Sequence, residues 1–197
     1  QLLKYRLGLR VKSPYSLKDM AKDSIAVLDE LEIGEANIIG ASMGGMIAQT
    51  VAYDFPERTR SLISIMSTTW APHLPPPGRE QEQGISDMNE SSAEQVENLE
   101  KIGFYPNALP NQVTAILSAG DRTTQVGTIE APTLVLHGAD DELLSVEHGK
   151  HTAEVISGAK LKIYNNMGHS LPDHVIPEMV NDILGHLSTN PKLASSE

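Results

Sequence analysis

Between Ser16 and Leu31 the chain alternates as one face of a helix. Leu17, Met20, Ala21, Ser24, Ile25, Leu28 and Leu31 recur at helical spacing, and Lys18, Asp19, Lys22, Asp23 and Asp29 fall on the other side. Ser16 suits the N-cap, with Asp19 placed to answer it in a capping box, and Gly34 marks the expected end. A short apolar run, Ala36 to Ala41, follows as a strand. A second helix is expected from just after Ser42 to about Asp54, where Phe55-Pro56 stops it. Ser61 to Met66 reads as the next strand.

The pattern then changes. Pro72 and Pro75-Pro76-Pro77 make a stiff connection. Residues 79–101 are polar and acidic and read as a solvated helix or loop. Gln112 to Ala119 is helical in pattern. Pro132 to His137 is a buried strand closed by Gly138, Val146 to Ile156 a helix, and Leu161 to Tyr164 a strand ending in the turn pair Asn165-Asn166. Asp173 to Leu187 is a final helix that Pro177 should break near its start, and the tail from Ser188 should fray. Strands alternating with helices predict the α/β class, with a mostly parallel sheet flanked by helices.

Composition narrows the function classes. The chain has 197 residues, 40% of them hydrophobic and 21% charged, with a net charge of −11. That charge argues against nucleic acid or an anionic membrane as a partner. The chain has no cysteine, which removes thiolate catalysis, disulfides and Cys-ligated metal. No apolar run is long enough for a membrane helix, and the first residues lack a signal-peptide core, so a cytoplasmic protein is the default expectation. The sequence opens on Gln1, which suggests processing or a piece of something longer.

Gly40-Ala41-Ser42-Met43-Gly44 carries the chemistry. It fits G-x-S-x-G between an expected strand and an expected helix. A turn that tight should hold Ser42 at positive φ with its hydroxyl outward, and Gly40 and Gly44 should let strand and helix approach, with Gly45 adding room. A serine hydroxyl needs a base, and the base an orienting acid. The order Ser, acid, His on loops after successive parallel strands is present: Ser42, then Asp140-Asp141, then His169. The residues alone leave Asp140 and Asp141 both open. Among the other histidines, His137 at a strand end reads as structural. His148 and His151 share a helix face but lack a third ligand, so a solvated face is expected there and no metal site.

Several segments resemble the α/β-hydrolase superfamily: Gly40 to Gly45, Phe55-Pro56-Glu57-Arg58, His137 to Asp141, and Gly168-His169. Ser64 to Thr69 and Met167 to Pro172 are similar to serine esterases of the aclacinomycin methylesterase kind. The resemblance implies Ser42, Asp141 and His169 as catalytic residues, Asp141 being the fourth position of the family's G-x-x-D. It also implies the Met43 N–H as an oxyanion donor, no cofactor, and a small-molecule carboxylic ester as substrate. By the same comparison, residues 1–70 are the first part of the hydrolase core, 71–127 a short lid insertion, 128–188 the second part of the core and 189–197 a tail. The serine argues against haloalkane chemistry, which in relatives uses an aspartate nucleophile. A non-catalytic ligand-binding protein and a cofactor-free peroxidase are the other readings. The family's His-Gly loop has no counterpart before Ser42, so an N-terminally truncated chain is expected, with the nucleophile strand at a sheet edge. Met43, Met46, Met66 and Met167 are candidates either for pocket lining or for plain core, and Trp70 either faces the pocket or anchors the lid.

Overall fold

The computed structural model describes residue 4, residues 7–78, residue 101 and residues 108–188. Helix α1 (Leu17–Glu30) leads to strand β1 (Ala36–Ala41), helix α2 (Met43–Asp54), a short 3-10 turn (Pro56–Arg58) and strand β2 (Thr59–Ile65). After the proline-rich connection come α3 (Leu109–Ala119), α4 (Thr123–Val126), β3 (Thr133–Gly138), α5 (Val146–Val155), β4 (Lys160–Tyr164) and α6 (Ile176–Ser188). The acidic stretch and the tail from 189 lie outside the described residues, as does much of the expected lid. None of the described helices is long and apolar enough to cross a membrane.

The four strands form one sheet in the order β1-β2-β3-β4, every pair parallel. Successive residues of β2 face opposite sides of the sheet. Ile63 and Ile65 join Leu134 and Leu136 of β3 beneath Val175 and the α6 residues Met179, Ile183 and Leu187. Leu62 faces the other way, into a cluster with Ala48 and Ala52 of α2 and with Val126, Ile129 and Ile156. Helix α1 lies outside α2, packing Ala21 and Ile25 against Val51. Burying each such side chain contributes about 1.5–3 kcal/mol. The sheet thus has helices on both faces, and its C-terminal edge collects the loops after all four strands.

Local chemistry accounts for the element ends. The capping box at α1 is formed: the Ser16 hydroxyl accepts from the Asp19 N–H, and the Asp19 carboxylate accepts from the Ser16 N–H at 3.0 Å. The helix stops at Glu30, ahead of Gly34, because Glu32 already turns left-handed at φ 55°. Pro177 does not break the last helix. It lies in the first turn of α6, where a missing N–H costs nothing, and the entry is fixed by Val175 N–H donating to Pro172 O at 2.9 Å.

Candidate active site

Ser42 sits between β1 and α2 at φ 54° and ψ −121°. A non-glycine residue held there stores about 1–3 kcal/mol of strain, so its surroundings must over-determine it. They do so through both of its backbone polar groups. The Ser42 N–H donates to Ile65 O at 2.9 Å, and the Ser42 carbonyl accepts from the Ser67 hydroxyl at 2.9 Å and from Gly45 N–H at 3.0 Å. Close approach depends on Gly40 and Gly45. A Cβ at Gly40 would strike the Gly44 carbonyl, and one at Gly45 would lie 2.5 Å from Ser67 Cβ. Gly44 corrects the sequence expectation: a Cβ there would meet nothing. Gly40 lets the strand lie against the Gly44–Gly45 backbone, and Gly45 makes room for Ser67 after β2.

The loops after β3 and β4 bring the other two residues to Ser42. His169 Nε2 lies 2.8 Å from Ser42 Oγ, and His169 Nδ1 lies 2.7 Å from Asp141 Oδ2. A carboxylate can only accept, so Nδ1 carries the proton and Nε2 is left as an acceptor toward the serine. Asp141 is buried, and its Oδ1 accepts from Leu143 N–H at 3.0 Å and Leu144 N–H at 2.9 Å. Asp140 is exposed and takes part through its backbone, donating to Met167 O at 3.0 Å. Burial by itself would push the Asp141 carboxyl up. Hydrogen bonding from His137, His169 and the Leu144 N–H more than reverses this and holds it well below the usual carboxylate range. The acid is therefore ionised and oriented, as a base-orienting group must be.

Met43 opens α2, where the first N–H groups have no intrahelical acceptor and the helix dipole favours negative charge beside Ser42. Met46, Met66 and Met167 are buried, the last two within the α6-side core cluster. Trp70 is half-buried at φ 63°, its N–H donating to Thr68 Oγ1 at 2.8 Å.

The histidine pair on α5 departs from the expected solvated face. His148 and His151 are both buried. His148 Nδ1 meets Thr68 Oγ1 at 2.7 Å and its Nε2 donates to Pro75 O at 2.9 Å, while His151 Nδ1 meets Thr69 Oγ1 at 3.0 Å. They clasp the segment after β2 to α5. The sequence also gave no sign of Arg122, whose buried guanidinium donates to Gln49 Oε1 at 2.8 Å, to Met46 O at 3.3 Å and to Thr68 O. It ties α2 to the same segment. A lone arginine among polar residues carries no periodic signal, so only the packing reveals it.

A parallel sheet with a strand-serine-helix elbow and a histidine and acid on later loops is the arrangement of the alpha/beta hydrolase fold, and the family model for that fold matches residues 6–101. The chain is similar to the α/β-hydrolase superfamily in its fold, in this partial family match and in its relatives. It is 29% identical to the 2-hydroxy-6-oxononadienedioate/2-hydroxy-6-oxononatrienedioate hydrolase of Cupriavidus pinatubonensis, over 81% of this chain and 65% of that protein. It is 24% identical to the rhodomycin D methylesterase of a Streptomyces species, over 88% of this chain and 74% of that protein. The enol-lactonase from Burkholderia xenovorans shares the fold with a TM-score of 0.67 at 17% identity, over 90% of this chain and 75% of that one. The chain spans just under two thirds of the length of the first of these relatives.

Proposed function

We propose that this chain is a serine hydrolase acting on a small-molecule carboxylic ester without a cofactor. The observation that carries the reading is the unbroken hydrogen-bond chain Ser42 Oγ to His169 Nε2 to His169 Nδ1 to Asp141 Oδ2, at 2.8 and 2.7 Å. Ser42 Oγ attacks the ester carbonyl and its proton passes to His169 Nε2. The Met43 N–H, at the positive end of α2, stabilises the oxyanion. The tetrahedral adduct collapses to an acyl-enzyme, and His169 delivers the proton to the departing alcohol. Water, deprotonated by His169, then attacks the acyl carbonyl, and Ser42 leaves with its proton restored. Asp141 holds the imidazole in the required tautomer and balances its transient charge.

Support for hydrolysis comes from relatives that are hydrolases, and support for an ester comes from the methylesterase among them. Hydrolysis of a p-nitrophenyl ester series by the chain and by Ser42→Ala tests the reading. Turnover in the parent, reduced about 10⁴-fold or more in the variant, is expected. Equal turnover in Ser42→Ala would refute it.

A further inference from the structure

His137 lies on β3, fully buried, and the reaction described above does not use it. Its Nε2 lies 2.8 Å from Leu144 O and 3.4 Å from Asp141 Oδ2. Both neighbours are acceptors, so Nε2 carries the proton. The other nitrogen, Nδ1, is buried with no hydrogen-bond partner among the described residues. An unpaired buried acceptor is unfavourable, and a leucine or phenylalanine in this core position would avoid it. The surroundings are nevertheless shaped to the ring. Gly149 on α5 faces it so closely that a Cβ there would lie 2.6 Å from Nδ1 and 2.8 Å from Cγ. Seat and orphaned nitrogen together indicate that Nε2 is what this residue contributes.

Resting on the proposed serine-hydrolase reading, we propose that His137 is a positioning residue for the acid, its Nε2–H shared between the Leu144 carbonyl and the Asp141 carboxylate. The carboxylate is then surrounded: the two loop amides hold Oδ1, and His169 and His137 approach Oδ2 from two sides. The His137 proton fixes Oδ2 on the His169 ring and draws off part of its charge. Without that donor, Asp141 concentrates its charge on His169, the chain from Ser42 to Asp141 binds its extra proton more readily, and reactivity fails at higher pH.

The test is the pH dependence of fluorophosphonate labelling of Ser42 in the full chain, in His137→Phe and in His137→Gln. The phenylalanine keeps a ring without a donor, and the glutamine keeps an amide N–H near the position of Nε2. We expect the acid-side fall in labelling rate to move up by about half a pH unit or more in His137→Phe, and to stay at the parent position in His137→Gln. Should the phenylalanine variant fail to fold, Gly149→Ala, which presses a methyl onto the ring, is read for the same upward movement. Superimposable profiles in the parent and the donor-less variant would overturn the positioning role while leaving the serine-hydrolase reading standing. A folded parent chain that does not label at any pH would instead overturn that reading, and the positioning role with it.

Discussion

Strands β1 and β3 both end in site residues at one edge of the sheet, yet they are held in opposite ways. β3 lies between two neighbours and all of its residues are buried. β1 is the outermost strand among those described, none of its residues is buried, and Ile39 is 50% exposed. Asp141 therefore stands on a loop that leaves a fully buried strand, its carboxylate held by the Leu143 and Leu144 N–H groups. Ser42 takes its position from its neighbours: Ile65 and Ser67 at the end of β2, and the close contact of Gly40 and Gly45. The proposed nucleophile depends on packing across elements, and the proposed acid on a loop that leaves a strand locked in the core.

Truncations in the two strands should break this symmetry most strongly. Leu136→Ala in β3 removes a fully buried side chain and is expected to cost about 2–5 kcal/mol in urea unfolding. Ile39→Ala in β1 is expected to cost less than about 1 kcal/mol. Equal losses would mean that β1 is as well anchored as β3.

A smaller contrast separates the glycines of the elbow. Gly45→Ala forces Ser67 and the Ser42 carbonyl apart, with an expected cost of about 1–3 kcal/mol and slower Ser42 labelling. Gly44→Ala meets open space and should be neutral or stabilising by up to about 1 kcal/mol through helix propensity. Parallel unfolding curves and labelling rates on both variants check this. A Gly44 variant as damaged as the Gly45 variant would contradict the geometry.

The smallest effect concerns the clasp that holds the segment after β2. Burial lowers the proton affinity of His148, and burial with the neighbouring His73 lowers that of His151. A histidine depressed in the folded state is protonated first in the unfolded chain as pH falls. Its contribution is whole above the ordinary histidine value and is lost as pH drops through and below it. Around His148 stand His137, Asp141 and His151, and around His151 stand His73, Glu154 and Asp121. The urea midpoint should therefore fall between about pH 7 and about pH 5, and His148→Asn should flatten that fall. An unchanged slope in the variant would remove His148 from the account.

The parts legible in the sequence were those with a local signal. The period of α1 and its Ser16-Asp19 cap are local, and so are the strand-turn-helix at Ser42 and the order of chemistry-bearing loops, which a parallel sheet gathers at one edge. What was illegible depends on facing elements. Helix α5 turns His148, Gly149, His151 and Thr152 inward, a polar-looking face that becomes buried only because Thr68, Thr69 and Pro75 supply partners. The choice between Asp140 and Asp141 is one of side-chain direction, which residue type does not encode. Gly44 and Gly45 differ only in what lies opposite each. His137 looked structural because a strand-end histidine carries no sign of the carboxylate that later folds against it.

The central claim is that Ser42 is an activated nucleophile within an assembled site. Intact mass of the folded chain after exposure to a fluorophosphonate, with Ser42→Ala alongside, tests it most directly. The account predicts a single adduct on the parent chain and none on the variant. No adduct on the folded parent, or an adduct that survives in Ser42→Ala, would contradict it.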